Sequence, residues 1–177
     1  VAYMGGFSRN RLLAPLIQAA RQLPAVQVLL WGDGHQRVAV EQAAAEVSNV
    51  QYLGWLEAEQ VPLYTRAADI IYYCLVPDYP GAVYNAPNTL SNSMAAGRPI
   101  IAHDVGDLGR VVRETGCGLL VPEVTPEKIG QAVRSLMDAG ERRRLGQAGR
   151  RAAESRYNWA VAGEQLLHVY STLLGKR

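Results

Sequence analysis

The residues best suited to chemistry lie directly after the first apolar run of the chain. The segment "GGFSRNR" holds Gly5, Gly6, Arg9 and Arg11 and follows the strand-like "VAYM". Glycine allows the backbone to approach a ligand closely, and the N-terminus of a following helix favours an anion. Arginine adds donors whose geometry suits phosphate oxygens. This loop indicates a phosphate site, with a plain tight turn and solvated arginines as the structural alternative.

A second candidate is the proline-containing loop "PDYPGAVYNAPN", residues 77–88, which precedes a helix. Long loops in compact domains are usually functional. We expect Asn88 to cap the helix, so that its first amides face a cleft, and Thr89 and Asn92 to lie on one face. Hydroxyl and amide groups suit sugar or ribose hydroxyls better than acid–base chemistry.

The spacing of residues along the sequence does not indicate a hydrolytic triad or a metal site, and it does not identify a catalytic residue. The three histidines, His35, His103 and His168, do not cluster with carboxylates or cysteines along the chain. Cys74 and Cys117 lie in or beside apolar runs, without the C-x-x-C of a zinc ribbon, and are read as core residues. The first loop lacks G-x-G-x-x-G spacing, and no acidic residue ends the second strand. We therefore expect no metal, no NAD and no other cofactor.

The secondary structure that positions these loops can be predicted from the apolar pattern. Short apolar runs alternate with helical patterns along the chain. The runs cover residues 1–4, 26–32, 50–54, 69–76, 99–103 and 118–122. Alternation of this kind predicts a doubly wound, six-stranded parallel sheet in the order 3-2-1-4-5-6, with helices on both faces. Ligands bind such sheets at the carboxyl ends of the strands. From Pro126 onward the pattern is helical, and this tail is expected to wrap the sheet.

The composition of the chain excludes several classes of protein. The 177 residues are 49% hydrophobic, and 18 Lys and Arg oppose 16 Asp and Glu for a net charge of +2. The chain can bury one core, and its balanced charge argues against a dedicated nucleic-acid binder. With no signal peptide and no apolar run of about 18 residues, we expect a cytoplasmic protein. Because the chain opens on its first strand at Val1, we expect a piece of a longer protein.

Arginines are concentrated in the tail, and Arg142, Arg143 and Arg144 are consecutive. A solvated helix face explains such a run, and contact with an anionic membrane surface or with a missing domain is the alternative.

The ordered series "YMGGFSRNR", "LLWGDGHQ", "SMAAGRPIIA" and "GCGLLV" resembles the C-terminal, donor-binding domain of retaining glycosyltransferases of the GT-B fold, in the large glycosyltransferase family 4. From this resemblance we expect a bacterial protein. The resemblance covers residues 1–173. It implies that residues 1–177 form a nucleotide-sugar-binding domain with 126–177 as a helical tail, and that the N-terminal acceptor domain is absent. The sugar donor is then the substrate and the missing domain is a partner.

The resemblance also implies roles for individual residues. Gly5, Gly6, Arg9 and Arg11 correspond to the loop that grips the diphosphate, with Arg11 at the position of the family's lysine. The turn after the third strand sets the base in this family, chiefly through backbone, and here consists of Leu53, Gly54, Trp55 and Leu56. In "PNT", Asn88 and Thr89 match family branches that read "PNK".

The chain departs from the family at its paired glutamates. They fall on Tyr84 and Asn92, neither of which is acidic. We expect these two residues to face the ribose or the sugar as neutral groups. The departure leaves three hypotheses: the donor half of a glycosyltransferase, a degenerate module that binds a nucleotide sugar or a partner without catalysis, and a nucleotide-sugar epimerase domain.

Overall fold

The computed structural model describes residues 1–175 and is built on a six-stranded sheet. The strands are β1 Ala2–Met4, β2 Val28–Trp31, β3 Val50–Tyr52, β4 Ile71–Tyr73, β5 Ile100–His103 and β6 Gly118–Val121. All neighbours pair in parallel, in the order β3-β2-β1-β4-β5-β6. The predicted fold class and strand order are confirmed.

The central strands are apolar because helices cover both of their faces. Every residue of β1, β4 and β5 is buried. Tyr3 and Tyr72 are fully buried although they are polar at the tip. The hydroxyl of Tyr72 donates to the Leu12 carbonyl at 2.6 Å, which satisfies it within the core.

Eight helices alternate with the strands and then continue alone to the end of the described chain. They are α1 Ala14–Ala20, α2 Arg37–Ala45, α3 Val61–Ala67, α4 Asn88–Ala96, α5 Gly106–Thr115, α6 Pro126–Ser135, α7 Ala139–Ser155 and α8 Trp159–Leu174. At two of these helices, the structure confirms the start or stop residue that the sequence predicts. Gly97 ends α4 in a left-handed conformation, and the Thr125 hydroxyl caps α6 by accepting from the Lys128 amide at 3.3 Å.

The expected cap of α4 is wrong. Asn88 is the first residue inside the helix, and Pro87 holds the cap position with an extended backbone and no side-chain hydrogen bond. The Pro87 carbonyl accepts from the Leu90 amide at 2.9 Å, so the first turn is closed by the backbone and not by the Asn88 side chain. The loop before it also contains a short 3₁₀ turn at Ala82–Tyr84, which the sequence pattern did not reveal.

The expectation that the whole tail wraps the sheet is correct only in part. Helix α6 packs on α1, and α7 packs on α4. Helix α8 has no buried residue, and Trp159 at its start is 88% exposed. The Asn158 side chain caps α8 by accepting from the Val161 amide at 3.0 Å, which fixes the start of the helix. The spacing of apolar residues predicts that a helix has an apolar face, but it does not predict which surface packs against that face.

Candidate functional site

A cavity of about 520 Å³ opens at the carboxyl ends of β1 and β4. It brings together Gly5, Gly6 and Arg11 of the first loop with Tyr84, Asn88 and Thr89 of the later loop and helix. Two segments that are more than 70 residues apart in sequence thus meet where ligands bind in sheets of this class. Six of the twelve predicted site residues share this one cavity.

Arg11 is held by its backbone and aims its side chain into this cavity. Its amide donates to the Ser8 carbonyl at 2.9 Å, and its carbonyl accepts from Gln36 Nε2 at 3.0 Å. The guanidinium carbon lies 4.7 Å from the centre of the Tyr73 ring, a cation–π contact. Nη1 is buried and has no hydrogen-bond partner among residues 1–175. A buried donor without a partner is costly, and Arg11 is also the charged residue among those that line the cavity, so its guanidinium is the group suited to an anionic ligand there.

Two tyrosines complete the wall around Arg11, and both remain neutral. Burial raises the pKa of Tyr3 and of Tyr73, and the nearby Arg11 charge opposes that shift without reversing it. The Tyr3 hydroxyl donates to the Gly6 carbonyl at 2.8 Å, which fixes the first loop. The Tyr73 hydroxyl lies 3.4 Å from Asn85 Oδ1. The sequence analysis did not identify these residues as part of the site, because a tyrosine within an apolar strand is expected to be a core residue.

Helix α4 points its N-terminus at the same cavity through Asn88 and Thr89. Its first amides have no partner within the helix, and they form the positive end of its dipole. Asn92 lies one turn further along, half-buried, and does not line the cavity. Tyr84 stands at the rim with 83% of its surface exposed. The proposed sugar contact of Asn92 therefore stays a prediction.

A second, more apolar cavity of about 180 Å³ lies beside the first. Gly5 lines both cavities, and Trp31, Trp55 and Leu56 line the smaller one. Trp55 is 63% exposed, so one face of its indole is available to a flat ligand. Leu53 and Gly54 do not line this cavity; the Leu53 amide donates to Leu30 and the Gly54 carbonyl accepts from Gly32. Two of the four predicted base residues thus lie at this cavity.

The remaining candidates lie elsewhere. Arg9 is exposed and lines neither cavity, and His35 is exposed in its turn. His103 is 5% exposed, and its Nδ1 lies 2.5 Å from the Leu75 carbonyl, which makes it a core residue at the end of β5. Within residues 1–175, no group of three His, Cys, Asp or Glu side chains is close enough to hold a metal ion.

The loop that carries Tyr84 and Asn85 is seated on the start of α5. Gly106 has φ of +49°, and a Cβ built on it would lie 2.2 Å from the Val83 carbonyl oxygen. Only a residue without a side chain lets the two backbones approach this closely. Gly106 therefore allows the backbone at Val83, next to Tyr84, to pack on the start of α5, although Gly106 itself does not line the cavity.

The arginine run lies at the other end of the sheet. Arg142 and Arg143 line a pocket with Gly97 and Pro99, which precede β5. Arg142 Nη1 donates to the carbonyls of Leu136 and Met137, and Arg144 pairs with Glu141 at 2.6 Å. Arg142 and Arg144 therefore already have hydrogen-bond or ion-pair partners within the protein. No helix in residues 1–175 has the length and apolarity to cross a membrane.

A family model described as "Glycosyl transferases group 1" matches residues 1–139. The phosphatidyl-myo-inositol mannosyltransferase of Mycobacterium leprae (strain TN) is 30% identical over 148 residues, 84% of this chain and 38% of that protein. The D-inositol 3-phosphate glycosyltransferase of Nocardia farcinica is 31% identical over 190 residues, 98% of this chain and 40% of that protein. The chain thus spans less than half the length of these relatives.

Solved structures share the fold. Sucrose-phosphate synthase from Thermosynechococcus elongatus superposes with a TM-score of 0.83 at 27% identity, covering 99% of this chain and 45% of that chain. Anabaena Alr3699/HepE, solved in complex with UDP-glucose, gives a TM-score of 0.79 at 19% identity, covering 96% of this chain and 48% of that one. The second likeness shows the fold alone.

Proposed function

Because the chain belongs to the group 1 glycosyl transferases, we propose that it is the donor-binding part of a retaining glycosyltransferase of the GT-B type. It binds a nucleoside-diphosphate sugar, and the whole enzyme transfers the sugar to an acceptor. The relatives named as mannosyl- and glycosyltransferases support this assignment. The Anabaena protein of the same fold, which was crystallised with UDP-glucose, supports a nucleotide sugar as the ligand.

The observation that carries the proposal is the buried Nη1 of Arg11, which has no acceptor among residues 1–175. A diphosphate in the larger cavity is an acceptor for the Arg11 guanidinium, and the first amides of α4 supply further donors. Since Gly5 borders both cavities, one extended ligand can lie across it. The base then occupies the smaller cavity against Trp55, and the diphosphate and sugar occupy the larger one.

The chemistry we propose needs no protein nucleophile. The donors around the cavity stabilise the diphosphate as it leaves, and its oxygens take up the proton of the acceptor hydroxyl. The role of this domain is then positioning and charge stabilisation. An epimerase would need acidic and histidine groups at the site, and the residues that line the two cavities include neither.

Isothermal titration with UDP and with GDP tests the proposal. We expect Arg11→Ala to weaken binding of the preferred diphosphate about tenfold or more, because a hydrogen bond to a charged group is worth roughly 1.5–3 kcal/mol. The matched control is Arg21→Ala, which removes an exposed arginine that pairs with Glu46 on the surface. The proposal fails if the parent protein binds neither diphosphate, or if both variants bind as the parent does.

A second candidate, a binding module without catalysis, is favoured by one observation. Tyr84 and Asn92 stand where acidic residues mark many members of the resembled family. Under either candidate we expect the 177-residue chain alone to bind a nucleoside diphosphate and to transfer no sugar. Turnover by the full-length gene product on a panel of donors separates the two, since only the enzyme releases the diphosphate in the presence of an acceptor.

A further inference from the structure

Arg11 belongs to the loop that connects β1 to α1, residues 5–13. The turn around Arg11 is closed by one backbone hydrogen bond, which its amide donates to the Ser8 carbonyl at 2.9 Å. The Arg11 backbone also forms an isolated antiparallel bridge with Leu75, which follows β4. A long side chain reaches a ligand reproducibly only if its backbone is fixed, so the groups that hold this loop bear directly on the site.

A residue outside the loop, Gln36, supplies further support. It lies in the turn after β2 and directly precedes α2. Its backbone amide donates to the Phe7 carbonyl at 2.9 Å. Its side-chain Nε2 donates to the Arg11 carbonyl at 3.0 Å and also to the Ser8 carbonyl. One residue of another segment thus binds three backbone carbonyls within residues 7–11.

The chemistry of the Gln36 side chain matches this task. A primary amide carries two hydrogens on one nitrogen, so Nε2 can donate one to each of the two carbonyl oxygens. A carboxylate of the same length would present only acceptors to them. The side chain is half-buried, so water competes less for these hydrogen bonds than it would at an exposed site. The contact is therefore specific to a donor at this position.

Gln36 lines neither the larger cavity nor the smaller one. We propose that Gln36 is a positioning residue for Arg11, which holds residues 8–11 in the conformation that directs the guanidinium into the larger cavity. This inference rests on the proposed function and adds to it a residue that does not touch the donor. Without Gln36 the loop also adopts other conformations, and the apparent affinity for a diphosphate falls in proportion to the time that Arg11 is out of place.

Gln36→Met tests the proposal, because methionine is similar in length and has no hydrogen to donate. We expect titration calorimetry with the preferred diphosphate, UDP or GDP, to show about a fivefold loss of affinity, as for a loop that is in place about one fifth of the time. The matched control is Gln42→Met, which replaces an exposed glutamine of α2 and should bind as the parent does. Parent-like affinity of Gln36→Met would overturn the proposal, and so would equal losses in the two variants.

Repeating the substitution in the Arg11→Ala background separates positioning from a general structural role. We expect Gln36→Met to cost less than about twofold there, because the residue that it positions has been removed. The same fivefold loss in both backgrounds would contradict the proposal and leave the proposed function intact.

Gln36→Glu is a second variant of the same shape, and it places a carboxylate against the Ser8 and Arg11 carbonyl oxygens. Its loss of affinity should be at least as large as that of Gln36→Met, and parent-like binding would again overturn the proposal. If the parent protein binds neither UDP nor GDP, both this inference and the proposed function fail.

Discussion

At the scale of single residues, the tyrosine and cysteine side chains that are buried near Arg11 are neutral. Tyr3 and Tyr73 flank Arg11 as neutral phenols, and the fully buried Cys74 lies one residue beyond β4. Burial raises the pKa of the Cys74 thiol from 9.0 to about 12. The neutral surroundings leave Arg11 as the dominant charge, which favours an anionic ligand.

The raised thiol pKa has a measurable effect on stability. A group whose pKa is higher in the folded state contributes stability below its unfolded pKa and loses it as the pH rises toward the folded value. We therefore expect the free energy of unfolding to fall between about pH 9 and 12. Urea unfolding at pH 8.0, 9.0 and 10.0 measures this.

Cys74→Ala provides the comparison for that pH series. The variant should start from a lower stability because it leaves a small cavity, but its stability should fall less steeply with pH. Some slope remains because burial also raises the pKa of Cys117, Tyr3 and Tyr73. Identical slopes in the parent and the variant would show that Cys74 is not the group responsible.

At the scale of elements, alternation of apolar runs and helical spacing was enough to predict all six strands, their order and the glycine at the end of α4. The same reasoning placed Gly5, Arg11, Asn88 and Thr89 at one edge of the sheet, because strand ends of a parallel sheet share an edge. It did not reveal the 3₁₀ turn at Ala82–Tyr84. Val83 in that turn lies against Gly106 of α5, a tertiary contact that no local pattern encodes.

Gly106 provides the test at this scale. Gly106→Ala would place a Cβ 2.2 Å from the Val83 carbonyl oxygen, so the loop must move away from α5. We expect nucleotide affinity to fall about tenfold as Tyr84 and Asn85 lose their positions. Titration calorimetry of folded variants measures it.

Gly116→Ala is the matched control, because Gly116 follows the same helix, also has a positive φ of +64°, and meets nothing within 4 Å. It should be destabilised by about 1 kcal/mol through backbone strain and should bind as the parent does. Equal affinity in both variants would show that the Val83 contact does not position the site.

At the scale of the whole molecule, the sheet with α1 to α7 holds the core, and α8 stands apart from it. Leu167, Leu173 and Leu174 are each at least 67% exposed. Sequence periodicity predicted this helix but not its exposure, because the partner of an apolar face is a tertiary property.

Removal of residues 159–177 should therefore leave the fold intact. We expect the midpoint of thermal unfolding to change by less than about 3 °C, since the helix contributes no buried residue. Circular dichroism at 222 nm during heating measures this. A loss of cooperative unfolding would instead show that α8 packs on the domain in solution.

The central claim is that a nucleoside diphosphate binds across Gly5, between the two cavities at the carboxyl ends of the strands. Amide chemical-shift mapping during titration with UDP and with GDP tests this most directly. We expect one of them to shift the amides of Gly5, Gly6, Asn88 and Thr89 together with the indole of Trp55. Shifts confined to the cavity at the opposite end of the sheet, lined by Val1, Asp69 and Arg142, or no shifts with either nucleotide, would contradict the account.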